Sequence, residues 1–184
     1  VLVRASQAGS PFYEAAPHVE QSFVVSKATQ TIEFSMPSER LYSPVATSLS
    51  AVSSSGLPVG FSVVSGPGLV EGASLRLTGV GSVVVRASQA GSATYEPADN
   101  VDRTIVVSRG LQTINFAPLA SKTYTDLPFD LVASSSAGLP VSFSVLSGPA
   151  ALSGNRVTVN GTGTVVVSAA QDGSLEYSPA QNVE

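Results

Sequence analysis

The one histidine of the chain, His18, lies between Glu14 and Glu20. An imidazole oriented by a carboxylate can activate a serine, so these residue types invite a hydrolase reading. That chemistry also wants its serine on a sharp strand-to-helix turn, and no G-x-S-x-G stretch occurs. Calcium binding is a second chemistry to weigh, and it needs several oxygen ligands at alternate positions of one loop. The best cluster is Asp99-Asn100-Val101-Asp102, with Asp126 and Asp130 as a looser pair. A glycan-binding face would offer exposed rings, but there is no Trp, and Phe12 is the one ring that the sequence does not direct inward. Asn160-Gly161-Thr162 fits a glycosylation triplet. The absence of cysteine excludes disulfides, thiolate catalysis and cysteine-ligated zinc.

These candidates can be weighed because the chain repeats itself. "VRASQAGS" stands at 3–10 and again at 85–92, and "VSAAQDGS" follows at 167–174, so the step from Val3 to Val85 equals the step from Val85 to Val167. At the same step, "QTIEF" (30–34) returns as "QTINF" (112–116), and "GLPVGFSVVSGP" (56–67) as "GLPVSFSVLSGP" (138–149). A residue that recurs at one register reads as framework, whereas a site is more often private to one copy. An acid recurs at 20, 102 and 184, one per copy, and reads as a surface acid beside a strand. His18 is matched by Asn100 and Asn182, and reads as a solvated loop residue. The tyrosines 13, 95 and 177 align, as do 42 and 124, and read as core or loop pins. Phe34 with Phe116 and Phe61 with Phe143 alternate inward. Phe129 is expected in the core, and Phe23 matches the strand residue Ile105. The sequence therefore predicts no enzyme, no cofactor and no metal.

Composition agrees with a β protein. The chain of 184 residues is 43% hydrophobic and only 12% charged, with Ser, Thr, Gly and Val filling the difference. The net charge of −4 offers no basic patch to follow a phosphate backbone, so no nucleic-acid partner is expected. No run of about 18 apolar residues marks a membrane-spanning helix.

Within a copy the apolar residues alternate, as Val59, Phe61 and Val63 do, and Val83, Val85 and Ala87. Period two over short runs, broken by Gly, Pro and Ser turns, means half-buried strands. Seven are predicted, at 31–34, 49–53, 59–65, 69–71, 74–78, 82–88 and 103–108. Seven short strands per 82-residue repeat predict an all-β chain of tandem immunoglobulin-like Greek-key β-sandwich domains. The expected domains are 1–28, the C-terminal strands of a preceding repeat; 29–110, a complete repeat; and 111–184, a repeat without its last strand. Only a short stretch, 109–111, links the last two. It is too short for a flexible coil, so a fairly stiff rod is expected, with Gly110 permitting some bending.

The order QTI-x-F, Tyr, SGLPV-x-FSV-x-SGP, G-x-V-x-V-x-A-x-Q-x-G, Tyr, and a final I-V-V strand resembles the MBG-type bacterial immunoglobulin-like repeats over essentially the whole chain. The segment "TYTDLPFDLVA" (123–133) keeps the common Y-x-D-x-PF-x-L-x-A form, and "LYSPVATSLSA" (41–51) departs from it. The resemblance implies tandem repeats of large secreted or surface-anchored bacterial proteins, hence an extracellular structural role as a stiff stalk or fibre. It implies framework residues and no catalytic ones. The alternative is an adhesin or glycan-binding module that uses loops such as 53–57 and 134–139.

The chain begins at Val1 in mid-pattern, which suggests an excerpt or a processed product. Residues 1–27 also carry a strand that 111–184 lacks. One reading is a window cut from a longer array. Another is strand exchange, in which the segment holding Glu20, Ser22, Phe23, Val24 and Val25 completes the last repeat of a neighbouring chain in a head-to-tail filament.

Overall fold

The computed structural model describes residues 1–184. The chain is all-β, contains no helix, and so has none long and apolar enough to cross a membrane. Its strands fall into three sets along the sequence.

The first set is a hairpin. Strand β1 (Leu2–Gln7) pairs antiparallel with β2 (Ala16–Ser22), and every residue of both is exposed. The Arg4 guanidinium donates to Glu20 across the ladder at 2.6 Å.

The middle copy forms β3 (Ile32–Phe34), β4 (Glu39–Leu41), β5 (Thr47–Ser48), β6 (Ala51–Ser53), β7 (Gly60–Ser65), β8 (Gly68–Glu71), β9 (Ser74–Leu77), β10 (Gly81–Ser88) and β11 (Val101–Ser108). One sheet runs β4-β11-β10-β7; β3-β6 and β5-β9-β8 form the others. The alternation predicted for β10 is met in full, since Val83, Val85 and Ala87 are wholly buried. They join Phe34, Leu75, Leu77, Ile105 and Val107 in one core of 11 buried residues.

Two differences from the expected strands have physical reasons. The stretch 49–53 is not one strand, because the chain leaves β9 after β5 and joins β3 as β6, turning at Leu49-Ser50. Such bends are how a chain passes between sheets. Strand β4 is absent from the expected set, because so short a stretch shows no period. It exists because its backbone pairs in parallel with β11, Val106 facing Glu39 and Ser108 facing Leu41.

The last copy forms β12 (Ile114–Phe116), β13 (Phe129–Asp130), β14 (Ala133–Ser135), β15 (Ser142–Ser147), β16 (Ala150–Ser153), β17 (Arg156–Val159) and β18 (Val166–Ala170). Its pairings repeat those of the middle copy: Ile114 faces Ser135 as Ile32 faces Ser53, and Phe143 faces Ala169 as Phe61 faces Ala87. In the place of β11, Val183 bridges Ala169 as Val101 pairs with Ala87. Strand β18 has five residues where β10 has eight, and residues 121–123, the counterpart of β4, form no strand. The buried core there comprises Leu131, Val157 and Val167.

Candidate functional site

The residues that could have done chemistry do not converge. His18 is exposed within β2 rather than in a loop, and no group of three or more His, Cys, Asp or Glu residues is placed to hold a metal. Asp102 instead accepts from Arg86 Nε and Nη2, each at 2.8 Å, and this pairing holds its carboxyl below the ordinary range. Asp126 accepts from the Thr123 backbone N–H at 2.9 Å and its hydroxyl at 2.7 Å, which lower its pKa in the same direction. Asp130 faces Arg156 at 3.4 Å. Each acid is thus engaged locally.

The phenylalanines sort as expected, and two of the tyrosines do not. Phe34 and Phe61 pack at 5.4 Å between ring centroids, and Phe116 and Phe143 at 5.5 Å. Phe129 packs on the last core with the Lys122 ammonium 4.7 Å above its ring. Tyr13 and Tyr124, expected as pins, are exposed. Tyr95 and Tyr177 are partly buried because the preceding link residue pairs with each, Ala28 with Tyr95 and Gly110 with Tyr177. Tyr13 bridges Ser10 within its own turn.

The joint between the middle and last copies is the most constrained feature outside the cores. The Gly110 N–H donates to Glu176 O at 2.8 Å, and Ser178 N–H donates to Gly110 O at 2.9 Å. Tyr42 N–H donates to Ser108 O at 2.8 Å, and its ring meets Tyr177 edge-on. A Cβ at Gly110 would come within 2.6 Å of Tyr42 O and 3.0 Å of the Tyr177 ring. Glycine is therefore present for close approach, and both its backbone groups are engaged, which corrects its reading as a bending point. At the earlier link, Ala28 makes the same two bonds, from its N–H to Thr94 O and from Glu96 N–H to its carbonyl.

A buried glutamine secures each link just beyond it. Gln30 Nε2 donates to Gln89 Oε1 at 2.5 Å and to Glu96 O at 2.7 Å. Gln112 Nε2 donates to Gln171 Oε1, and to Ser178 O at 2.8 Å. This gives a reason why "QTI" and the Gln of "ASQAGS" and "SAAQDGS" recur together: an uncharged side chain with donors and an acceptor can satisfy buried backbone without burying a charge.

The last copy carries two grooves. A groove of about 700 Å³ is lined by Lys122, Tyr124, Phe129, Val157, Val165 and Val167 among others. A second, of about 380 Å³, lies between Phe116, Pro118, Leu119, Val166 and Glu184. The expected exchange segment takes no part in either core: Glu20 and Ser22 sit in β2, and Phe23, Val24 and Val25 follow it with their side chains exposed.

No protein-family model matches the chain, and no curated protein matches it.

Proposed function

We propose that the chain is an extracellular structural protein of the bacterial surface, whose tandem immunoglobulin-like Greek-key domains form a stiff stalk or fibre. The observation that carries this reading is the joint. A short link with its backbone hydrogen-bonded to Glu176 and Ser178, and closed by Tyr42 on Tyr177, transmits orientation rather than absorbing it. The strand order supports it, since β4-β11-β10-β7 with β3-β6 and β5-β9-β8 fits the two sheets of such a sandwich. The resemblance of the 82-residue repeat to MBG-type repeats supports the surface location. Function on this reading is mechanical and needs no catalytic residue.

Residual dipolar couplings test it. One alignment tensor should fit the amides of both 29–110 and 111–184. Two independent tensors would refute a stiff joint.

A loop-borne adhesin or glycan-binding module is the second reading, favoured by Phe12 at 90% exposure beside the exposed Tyr13 on the β1–β2 turn. Against it, the serines of loop 53–57 point inward: Ser53 Oγ donates to Leu57 O at 2.7 Å and Ser55 Oγ to Gln30 Oε1 at 2.5 Å. Glycan-array binding that disappears in Phe12→Ala would favour this second reading.

A further inference from the structure

The chain enters and leaves the middle copy at opposite ends of one ladder. Strands β10 and β11 pair from Gly81–Val107 to Ala87–Val101. Entry lies beside the Ala87–Val101 end, where Ala28 bridges Tyr95 in the β10–β11 connection and Gln30 Nε2 reaches Gln89 and Glu96 O. Exit lies beyond the Val107 end, through Ser108 and Arg109. A pull applied through the two links therefore runs along β11 and not across it.

From its entry the chain runs through β3 to β4, and β4 lies parallel to β11 in three pairs, Val106–Glu39, Val107–Arg40 and Ser108–Leu41. Val106 N–H donates to Ser38 O and Tyr42 N–H to Ser108 O, each at 2.8 Å. Backbone groups alternate in direction along a strand. With Ser38 and Tyr42 turned toward β11, Arg40 between them turns its N–H and C=O there too. A pull toward the entry on β4 and toward the exit on β11 slides one parallel strand along the other. Sliding loads every bond of the patch at once, whereas peeling loads them one after another.

We propose that β4 on β11 is the force-bearing lock of the repeat, a patch that resists unfolding when tension runs along the chain. The inference rests on the stalk reading above, in which load arrives through the links. The entering segment makes three pairings, Ala28–Tyr95, β3–β6 and β4–β11, and only the last ties it to the exit strand. Tension can thus pass from entry to exit without crossing the core. Core packing does not account for β4, since Glu39 and Leu41 are exposed and Arg40 is half-buried. Forced unfolding is governed by the unfolding rate, so a patch that must part early sets the force even where it adds little to equilibrium stability.

Single-molecule pulling on the 184-residue chain decides the matter. The chain has no cysteine, so two introduced thiols are its only handles. Lys27→Cys with Arg109→Cys, both exposed, pulls the middle copy along β11. Thr78→Cys with Arg109→Cys, also exposed, puts both handles at the Gly81–Val107 end of the ladder and peels β11 from β10 pair by pair. The first geometry should unfold the copy at roughly twofold or more the force of the second. Arg40→Pro removes the central N–H of the patch, and β4 is an edge strand, so no other pairing loses a donor. It should lower the along-chain force toward the peeling value and leave peeling unchanged. Arg40→Ala loses only the side-chain bond to Thr47 and should keep the original force. Equal forces in the two geometries overturn the inference, as does an along-chain force that survives Arg40→Pro or falls equally with Arg40→Ala. The comparison of geometries needs no change at Arg40, so it stands even where the proline variant does not fold. Either result leaves the stiff-joint reading standing, because Gly110 and Tyr177 lie outside the pulled span and the dipolar couplings test them separately.

Discussion

Tyr42 and Tyr177 meet edge to face across the joint, their ring centroids 5.5 Å apart and their planes at 85°. They belong to different copies and are remote in sequence, yet the pair closes over a single glycine. A T-shaped pair contributes about 0.5–1.5 kcal/mol beyond its buried area. In a double-mutant cycle with Tyr42→Ala and Tyr177→Ala, the coupling energy should fall in that range, read from denaturant unfolding of the last copy. A coupling of zero would mean that the rings are neighbours without holding the joint.

Gly110→Ala probes the same place through the backbone. The added methyl meets a fixed carbonyl at 2.6 Å and a ring at 3.0 Å, and neither is the free end of a flexible side chain. Overpacking of this kind costs about 1–3 kcal/mol. The expected result is loss of the shared alignment of the two copies with both cores intact, read from the same dipolar couplings. Ala28 carries a methyl at the corresponding link.

Strand positions are legible in the sequence because burial alternates along β7, β9 and β10, and the period of two is written in the residues themselves. Strand β4 is illegible because its reason is the parallel edge of β11, a segment remote in sequence that meets it through the Val107–Arg40 pair. The joint is half legible. The recurrence of tyrosine at 42 and 177 marks both residues, but periodicity is a property of one copy and carries nothing about contacts between copies. Gly110 reads wrongly as a bending point for the same reason, since its requirement is the space that Tyr42 and Tyr177 leave. The paired glutamines do carry a signal, Gln30 with Gln89 and Gln112 with Gln171, both 59 residues apart.

Acid should act on the structure through Asp126 and Asp102. The Thr123 N–H and hydroxyl hold the first carboxyl below its ordinary value, and hydrogen bonding from Arg86 does so for the second. A group whose folded pKa is depressed contributes stability that is fully present above its unfolded value, about pH 4, and is lost as pH falls through the folded value. Both groups are solvent-exposed, so the effect is small and weakens with salt. Carboxyl-carbon NMR titration should place both midpoints below those of unperturbed aspartates, and Thr123→Val should move that of Asp126 upward. An Asp126 midpoint unmoved by Thr123→Val would remove the turn as its cause.

Gln112 Oε1 is buried, and no protein group donates to it. Its counterpart Gln30 Oε1 accepts from Ser55 Oγ at 2.5 Å, and the residue in the place of Ser55 in the last copy is Ala137. One lost hydroxyl therefore accounts for the orphaned oxygen. An unmet buried acceptor costs about 1–3 kcal/mol, and a hydrogen bond restored to it returns about 1 kcal/mol. Ala137→Ser should raise the melting temperature of the last copy by about 4–8 °C, the usual response of a domain this size to that energy. Ser55→Ala should destabilise the middle copy by about 1–3 kcal/mol, since it orphans Gln30 in the same way. Calorimetry of the two single variants checks both signs. A last copy that melts no higher in Ala137→Ser would show that the Gln112 carbonyl is already satisfied by another route.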